Sequence, residues 1–132
     1  MSKVDVKAAR PLSPHLQIYK PILTMVTSIL HRITGAALYF GTLLVAWWLI
    51  AIAAGPAYYE FVSEIFGSIF GRLVLFGFTW ALMFHMLGGM RHLLWDTGRG
   101  LDKGPRNNLA RATIVGSVIL TILLWVVGYA VR

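Results

Sequence analysis

Three stretches of this chain carry no Lys, Arg, Asp or Glu: Ile33–Tyr59, Leu73–Met90 and Ala112–Val131. Crossing the hydrocarbon core of a bilayer takes about 20 apolar residues, within a range of roughly 17–25. Each run meets that length, and the backbone of a membrane span must satisfy its own hydrogen bonds. The sequence therefore predicts an all-α integral membrane protein with three transmembrane helices packed in a bundle. The rival class, a soluble helical bundle, requires polar and apolar stripes within each helix. These runs have none. Composition agrees: 58% of residues are hydrophobic and 13% charged, against about half and a quarter in soluble domains.

At this length the chain is expected to form a single membrane-anchor unit, 1–132, with helices at about 22–54, 63–95 and 107–131. Three helices bury one another poorly, so a partner within the membrane is expected. Residues 1–21 hold charges and Pro11, Pro14 and Pro21 but no apolar core, so no cleavable signal is expected there. That lead reads as an extended strip at the membrane face, either solvated or docked on a peripheral partner. Gly55–Glu64 reads as an outer loop, with Tyr58 and Tyr59 as interface anchors. Gly67 and Gly71 form a G-x-x-x-G, a weak signal for close helix packing. Thr113, Ser117 and Thr121 give one face of the last helix small hydroxyls, for packing or for bonding their own carbonyls.

The net charge of +7 suggests nucleic acid at first sight, but its placement argues for topology. Lys3, Lys7, Arg10, Lys20 and Arg32 precede or open the first span, and Arg91, Arg99, Lys103, Arg106 and Arg111 border the second and third. Only Arg72 and Arg132 fall elsewhere, and the first loop holds Glu60 and Glu64. By the positive-inside rule the N-terminus and the second loop face the cytoplasm, or the matrix in an organelle. The charge needs no nucleic-acid partner.

There is no cysteine, which excludes thiolate-held Fe–S clusters and covalent haem at a C-x-x-C-H site on this chain. Four histidines remain: His15, His31, His85 and His92. His85 lies inside an apolar helix, about 9 Å deeper than Arg91 at 1.5 Å per residue. An ionisable residue at that depth points to function, although an interhelical hydrogen bond would also satisfy it. Gly88 and Gly89 follow one turn later and clear side chains from the same face. His92 then returns to that face, beside Arg91. A deep ligand, an open middle and a cationic rim form an order that fits a haem b with its anionic propionates toward the cytoplasm. An electron-transfer haem needs a pair of axial ligands, and only His85 is deep, so the other is expected from another chain.

Ser28 and Arg32 are one turn apart where the first helix enters the membrane. A hydroxyl and a permanently charged guanidinium there suit a quinone headgroup, or else a packing serine and a snorkelling arginine. Asp96, four residues after His92, is placed either to fix that ring's tautomer or to face solvent.

Two motifs at these positions resemble the cytochrome b membrane-anchor subunits of succinate dehydrogenase (succinate:ubiquinone oxidoreductase, respiratory Complex II). One is R-P-L…S-x-x-H-R-x-T, at Arg10, Pro11, Leu12, Ser28, His31, Arg32 and Thr34. The other is H-x-x-x-G-x-R-H-x-x-W-D-x-G, at His85, Gly89, Arg91, His92, Trp95, Asp96 and Gly98. The resemblance covers essentially the whole chain, and its SPHLQIYK lead is similar to the alphaproteobacterial and mitochondrial branch. It implies that His85 is a haem b iron ligand shared with a second anchor subunit. It implies that Ser28 and Arg32 border a ubiquinone site, and that His31, Arg32 and His92 lie near the propionates. It further implies docking of an iron–sulfur subunit and a flavoprotein subunit at the cytoplasmic or matrix face, in a bacterial inner or mitochondrial inner membrane. Catalysis by this chain alone is not expected. A different haem b anchor, as of a formate dehydrogenase or hydrogenase, is disfavoured by the single deep histidine. A non-redox scaffold is the remaining alternative.

Overall fold

The computed structural model describes residues 19–131. They form four helices: α1 Leu23–Ala54, α2 Pro56–Gly67, α3 Ile69–Asp96 and α4 Lys103–Ala130. Helices α1, α3 and α4 are long and apolar enough to cross a membrane. The protein is an all-α, multi-pass membrane protein.

The first surprise is α2. The expected loop at Gly55–Glu64 is helical, and the expected second helix at 63–95 is broken in two. Gly55 reverses the chain with φ 111°, a left-handed value that glycine adopts without strain. Pro56 then takes the first helical position of α2, where its missing N–H costs nothing. The Gly-Pro pair that reads as a stop is thus a stop and a restart.

The break between α2 and α3 lies at Ser68, whose backbone is extended at φ −62°, ψ 161°. Its hydroxyl donates to the carbonyl of Ile65 at 2.6 Å and accepts from the amide of Gly71 at 3.1 Å. One side chain therefore closes the last turn of α2 and caps the first of α3. A Cβ on Gly71 would fall 2.7 Å from the Phe66 Cα, whereas one on Gly67 would meet nothing within 4 Å. The G-x-x-x-G is thus not a packing site between two spans, because Gly71 serves the tight join of α2 onto α3.

Cross-helix contacts fix the register. Arg91 on α3 reaches Thr27 on α1, and His85 reaches the His31 carbonyl, so the two helices run antiparallel. Trp125 on α4 reaches Thr79 on α3, while a Cβ on Gly116 would lie 3.1 Å from Leu87, making that pair antiparallel too. Arg72 and Arg91 then bracket about 28 Å of α3, close to the thickness of a hydrocarbon core. Counting from Thr27, α1 reaches the level of Arg72 near Trp47 and continues about 10 Å further. There α2 folds back along it. Trp47 donates to the Tyr58 hydroxyl at 2.9 Å and meets the Phe66 ring edge-on at 5.5 Å.

The second turn is tight, with Gly98 at φ 75° and Gly100 at φ 73°, and the Trp95 indole donates to the Gly100 carbonyl at 3.2 Å. Helix α4 starts at Lys103, a turn earlier than the expected 107, because Gly104 and Pro105 fit its first turn, where amides need no helical partner. The core between the helices is thin: Phe84, Met83 and Ala81 of α3, with Ala51, Val62 and Ala110. Hydroxyls fill the rest. Thr113, Ser117 and Thr121 are buried, and each donates to a carbonyl of its own helix. Both readings of that stripe hold together: small residues let the helices close, and local bonds satisfy them. Large apolar side chains such as Tyr39, Phe40 and Leu43 point outward, as lipid and partner helices require.

Candidate functional site

The site gathers on one side of the α1–α3 contact. The His85 ring stacks on the His31 ring, with centroids 4.0 Å apart and planes 15° from parallel. Nδ1 of His85 lies 3.1 Å from the backbone carbonyl of His31 and 3.5 Å from the Thr34 hydroxyl. A carbonyl oxygen only accepts, so Nδ1 carries the proton and Nε2 holds the lone pair. Nε2 has no hydrogen-bond partner among the described residues, and they do not enclose it. Two glycines create the room. A Cβ on Gly35 would lie 2.9 Å from His85 Cε1, and one on Gly88 would collide with the His31 ring.

His31 in turn meets His92 edge-on, with centroids 5.3 Å apart. His92 meets Trp95 in the same way at 5.2 Å. The three imidazoles form a row from the interior toward the near-side edge. Nε2 of His31 is enclosed and has no partner among the described residues. The motifs imply a place for His31 near propionates; its ring turns inward and lies level with His85. Spacing along one helix carries no information about register against another. Gly35, one turn after His31, and Gly88, whose missing side chain makes the space for the His31 ring, are the hints of a close approach.

Ser28 is half-buried and Arg32 exposed, one turn apart on α1. Asp96 is exposed, and no hydrogen bond joins it to His92. Gly88 does not open a slot as expected; the His31 ring fills its space, while Gly89 faces open space. Arg91, expected at the rim beside His92, instead turns into the bundle. It is 3% exposed, donates to Thr27 Oγ1 at 2.9 Å and lies 5.0 Å from the Trp95 ring centre. His15 and the 1–18 part of the proline-rich strip lie outside the described residues.

An imidazole whose Nδ1–H is held by a carbonyl, with its other nitrogen free, has the donor set of a metal-ligating histidine. Among the described residues no cluster of three metal-binding side chains exists, so an ion held wholly by this chain finds no cage there. The arrangement fits a flat prosthetic group that brings most of its iron's ligands itself.

Fold and site together define an integral-membrane subunit of a larger assembly, with a histidine poised at its edge. The chain belongs to the succinate dehydrogenase/fumarate reductase transmembrane subunit family, which it matches over residues 7–124. It is 43% identical over 120 residues to the succinate dehydrogenase cytochrome b556 subunit of Paracoccus denitrificans, covering 91% of this chain and 92% of that one. The cytochrome b556 subunit of Rickettsia prowazekii is 40% identical over 94% of this chain and 97% of its own. The mitochondrial cytochrome b560 subunit of Bos taurus is 35% identical over 86% of this chain and 68% of its own. The chain is thus the membrane-anchoring part of a Complex II-type enzyme, as the two motifs imply, and such a subunit has partners.

Proposed function

We propose that His85 binds the iron of a haem b through Nε2, and that a second membrane-anchor subunit supplies the opposite ligand. The observation that carries this reading is the bond from His85 Nδ1–H to the His31 carbonyl, which leaves Nε2 as a lone-pair donor. The relatives' names, cytochrome b556 and b560 subunits, support the same cofactor. Haem b, when bound, supplies a one-electron carrier inside the membrane. This chain's part is to hold the ligand ring in one tautomer and orientation. His31, Arg32 and His92 border the side where propionates would be held.

Ser28 and Arg32 serve ubiquinone. The hydroxyl donates to a quinone carbonyl oxygen, and the guanidinium stabilises the negative charge that grows there as electrons arrive. Water or a partner residue provides the protons. An iron–sulfur subunit and a flavoprotein subunit dock on the near side, where the basic residues gather. By the positive-inside rule that side is the cytoplasm of a bacterium, or the matrix of a mitochondrion.

The test is a reduced-minus-oxidised optical spectrum of the purified complex. His85→Ala should abolish a b-type band; an unaltered band would overturn the ligand assignment. Arg32→Ala should depress quinone reduction while succinate oxidation by an artificial dye persists. If both activities survive intact, the quinone assignment fails.

A further inference from the structure

Behind the histidine face lies a second polar feature. Arg91 is almost fully buried, and its bond to Thr27 engages only Nη1. Its Nε is enclosed without a partner, and no carboxylate among the described residues lies within 4.0 Å. A buried charge without a counter-charge is strongly unfavourable. The guanidinium lines a crevice of about 340 Å³ between α3 and α4, walled by Leu87, Met90 and Leu94 on one side and Leu109 and Thr113 on the other. Arg106, a turn further out on α4, also has an enclosed Nε without a partner among the described residues.

The crevice is separate from the proposed haem site. At about 100° per residue, Met90 and Leu94 project from the side of α3 opposite His85. Its depth is that of a headgroup: Arg91 marks the near-side edge of the hydrocarbon, and Leu87 and Met90 extend the groove toward the membrane interior. A cation at headgroup level above an apolar groove has the complement of a lipid with an anionic phosphate and an acyl chain.

We propose that the α3–α4 crevice is a binding site for an anionic phospholipid of the near-side leaflet, with Arg91 as the buried phosphate partner. The phosphate enters between Leu94 and Leu109, and Arg106 flanks it. Its chain lies along Leu87 and Met90. The lipid supplies the counter-charge that the described residues lack and closes α3 onto α4.

The test uses the whole complex in detergent. After delipidation, phosphatidylglycerol is added back and its retention read by native mass spectrometry, with phosphatidylcholine as the uncharged control. The wild type should retain phosphatidylglycerol selectively and gain thermal stability from it. Arg91→Gln should weaken that affinity about tenfold or more, the worth of a lost charge-assisted bond. Should that variant fail to assemble, Ala112→Phe, on the α4 wall of the crevice, fills it while leaving Arg91 in place, and it should lose the selective retention. Equal retention by wild type and Ala112→Phe would overturn the proposal. So would a carboxylate of a partner chain cross-linking into the crevice, or equal stabilisation by both lipids.

Discussion

Gly35 and His85 approach so closely across α1 and α3 that a Cβ on the glycine would lie 2.9 Å from the ring. The ring is held between this glycine and the His31 imidazole, so its tilt is set by packing as well as by its hydrogen bond. Gly35→Val should push the ring off the His31 carbonyl. Disturbing the hydrogen-bonded support of a ligand costs about tenfold or more in metal affinity. The haem band per mole of complex should fall accordingly, and a full band would mean that the ring does not need this glycine.

Replacing His31 is a different experiment. The acceptor for His85 is the backbone carbonyl, which His31→Ala retains. Haem content should therefore survive while the stacked ring is lost, and the midpoint potential in a redox titration should move. Complete loss of haem in this variant would show that the stacked ring, rather than the carbonyl, holds His85.

Thr27 gives Arg91 its one side-chain hydrogen bond among the described residues. Thr27→Val keeps the shape and deletes the acceptor. The expected cost is about 1–3 kcal/mol, because a buried polar group is left unsatisfied. It should read as a lower unfolding temperature of the complex, with Thr27→Ser close to wild type.

Ser68 joins two helices with one hydroxyl. Ser68→Ala should cost about 1 kcal/mol, as loss of an N-cap does, in the same thermal assay. Gly71→Ala should cost more, because its Cβ would press on the backbone of α2. If Gly71→Ala is neutral, the close join of α2 and α3 is not required.

The spans were legible because each is a long charge-free run, and bilayer thickness fixes how long such a run must be. The break at Ser68 was not. Serine is unremarkable in composition, and its role depends on a backbone angle. Gly55-Pro56 signals a turn equally well whether a loop or a new helix follows. Within the site, His85 stood out by its depth in an apolar run, whereas the spacing of Ser28 and Arg32 leaves both a headgroup site and a packing serine with a snorkelling arginine open. The row of His31, His85 and His92 was hidden, because it depends on register between α1 and α3. Arg91 was misread for the same reason. Its neighbour His92 sits at the open edge, but on a helix one residue is enough to turn a side chain toward the core.

The uneven lengths of the helices have a consequence for how the subunit rides in the bilayer. The α1–α2 hairpin stands about 10 Å beyond the level of Arg72 and carries exposed Phe61 and Ile52 on its flanks. Lipid on that flank must stretch upward to cover apolar surface, while lipid beside α4 need not. Mismatch of this kind costs fractions of a kcal/mol per Å and is relieved by tilt, so the bundle is biased to lean the overhang into the bilayer. The far-side overhang thus biases the angle between the membrane plane and the imidazole of His85, on the other half of the molecule.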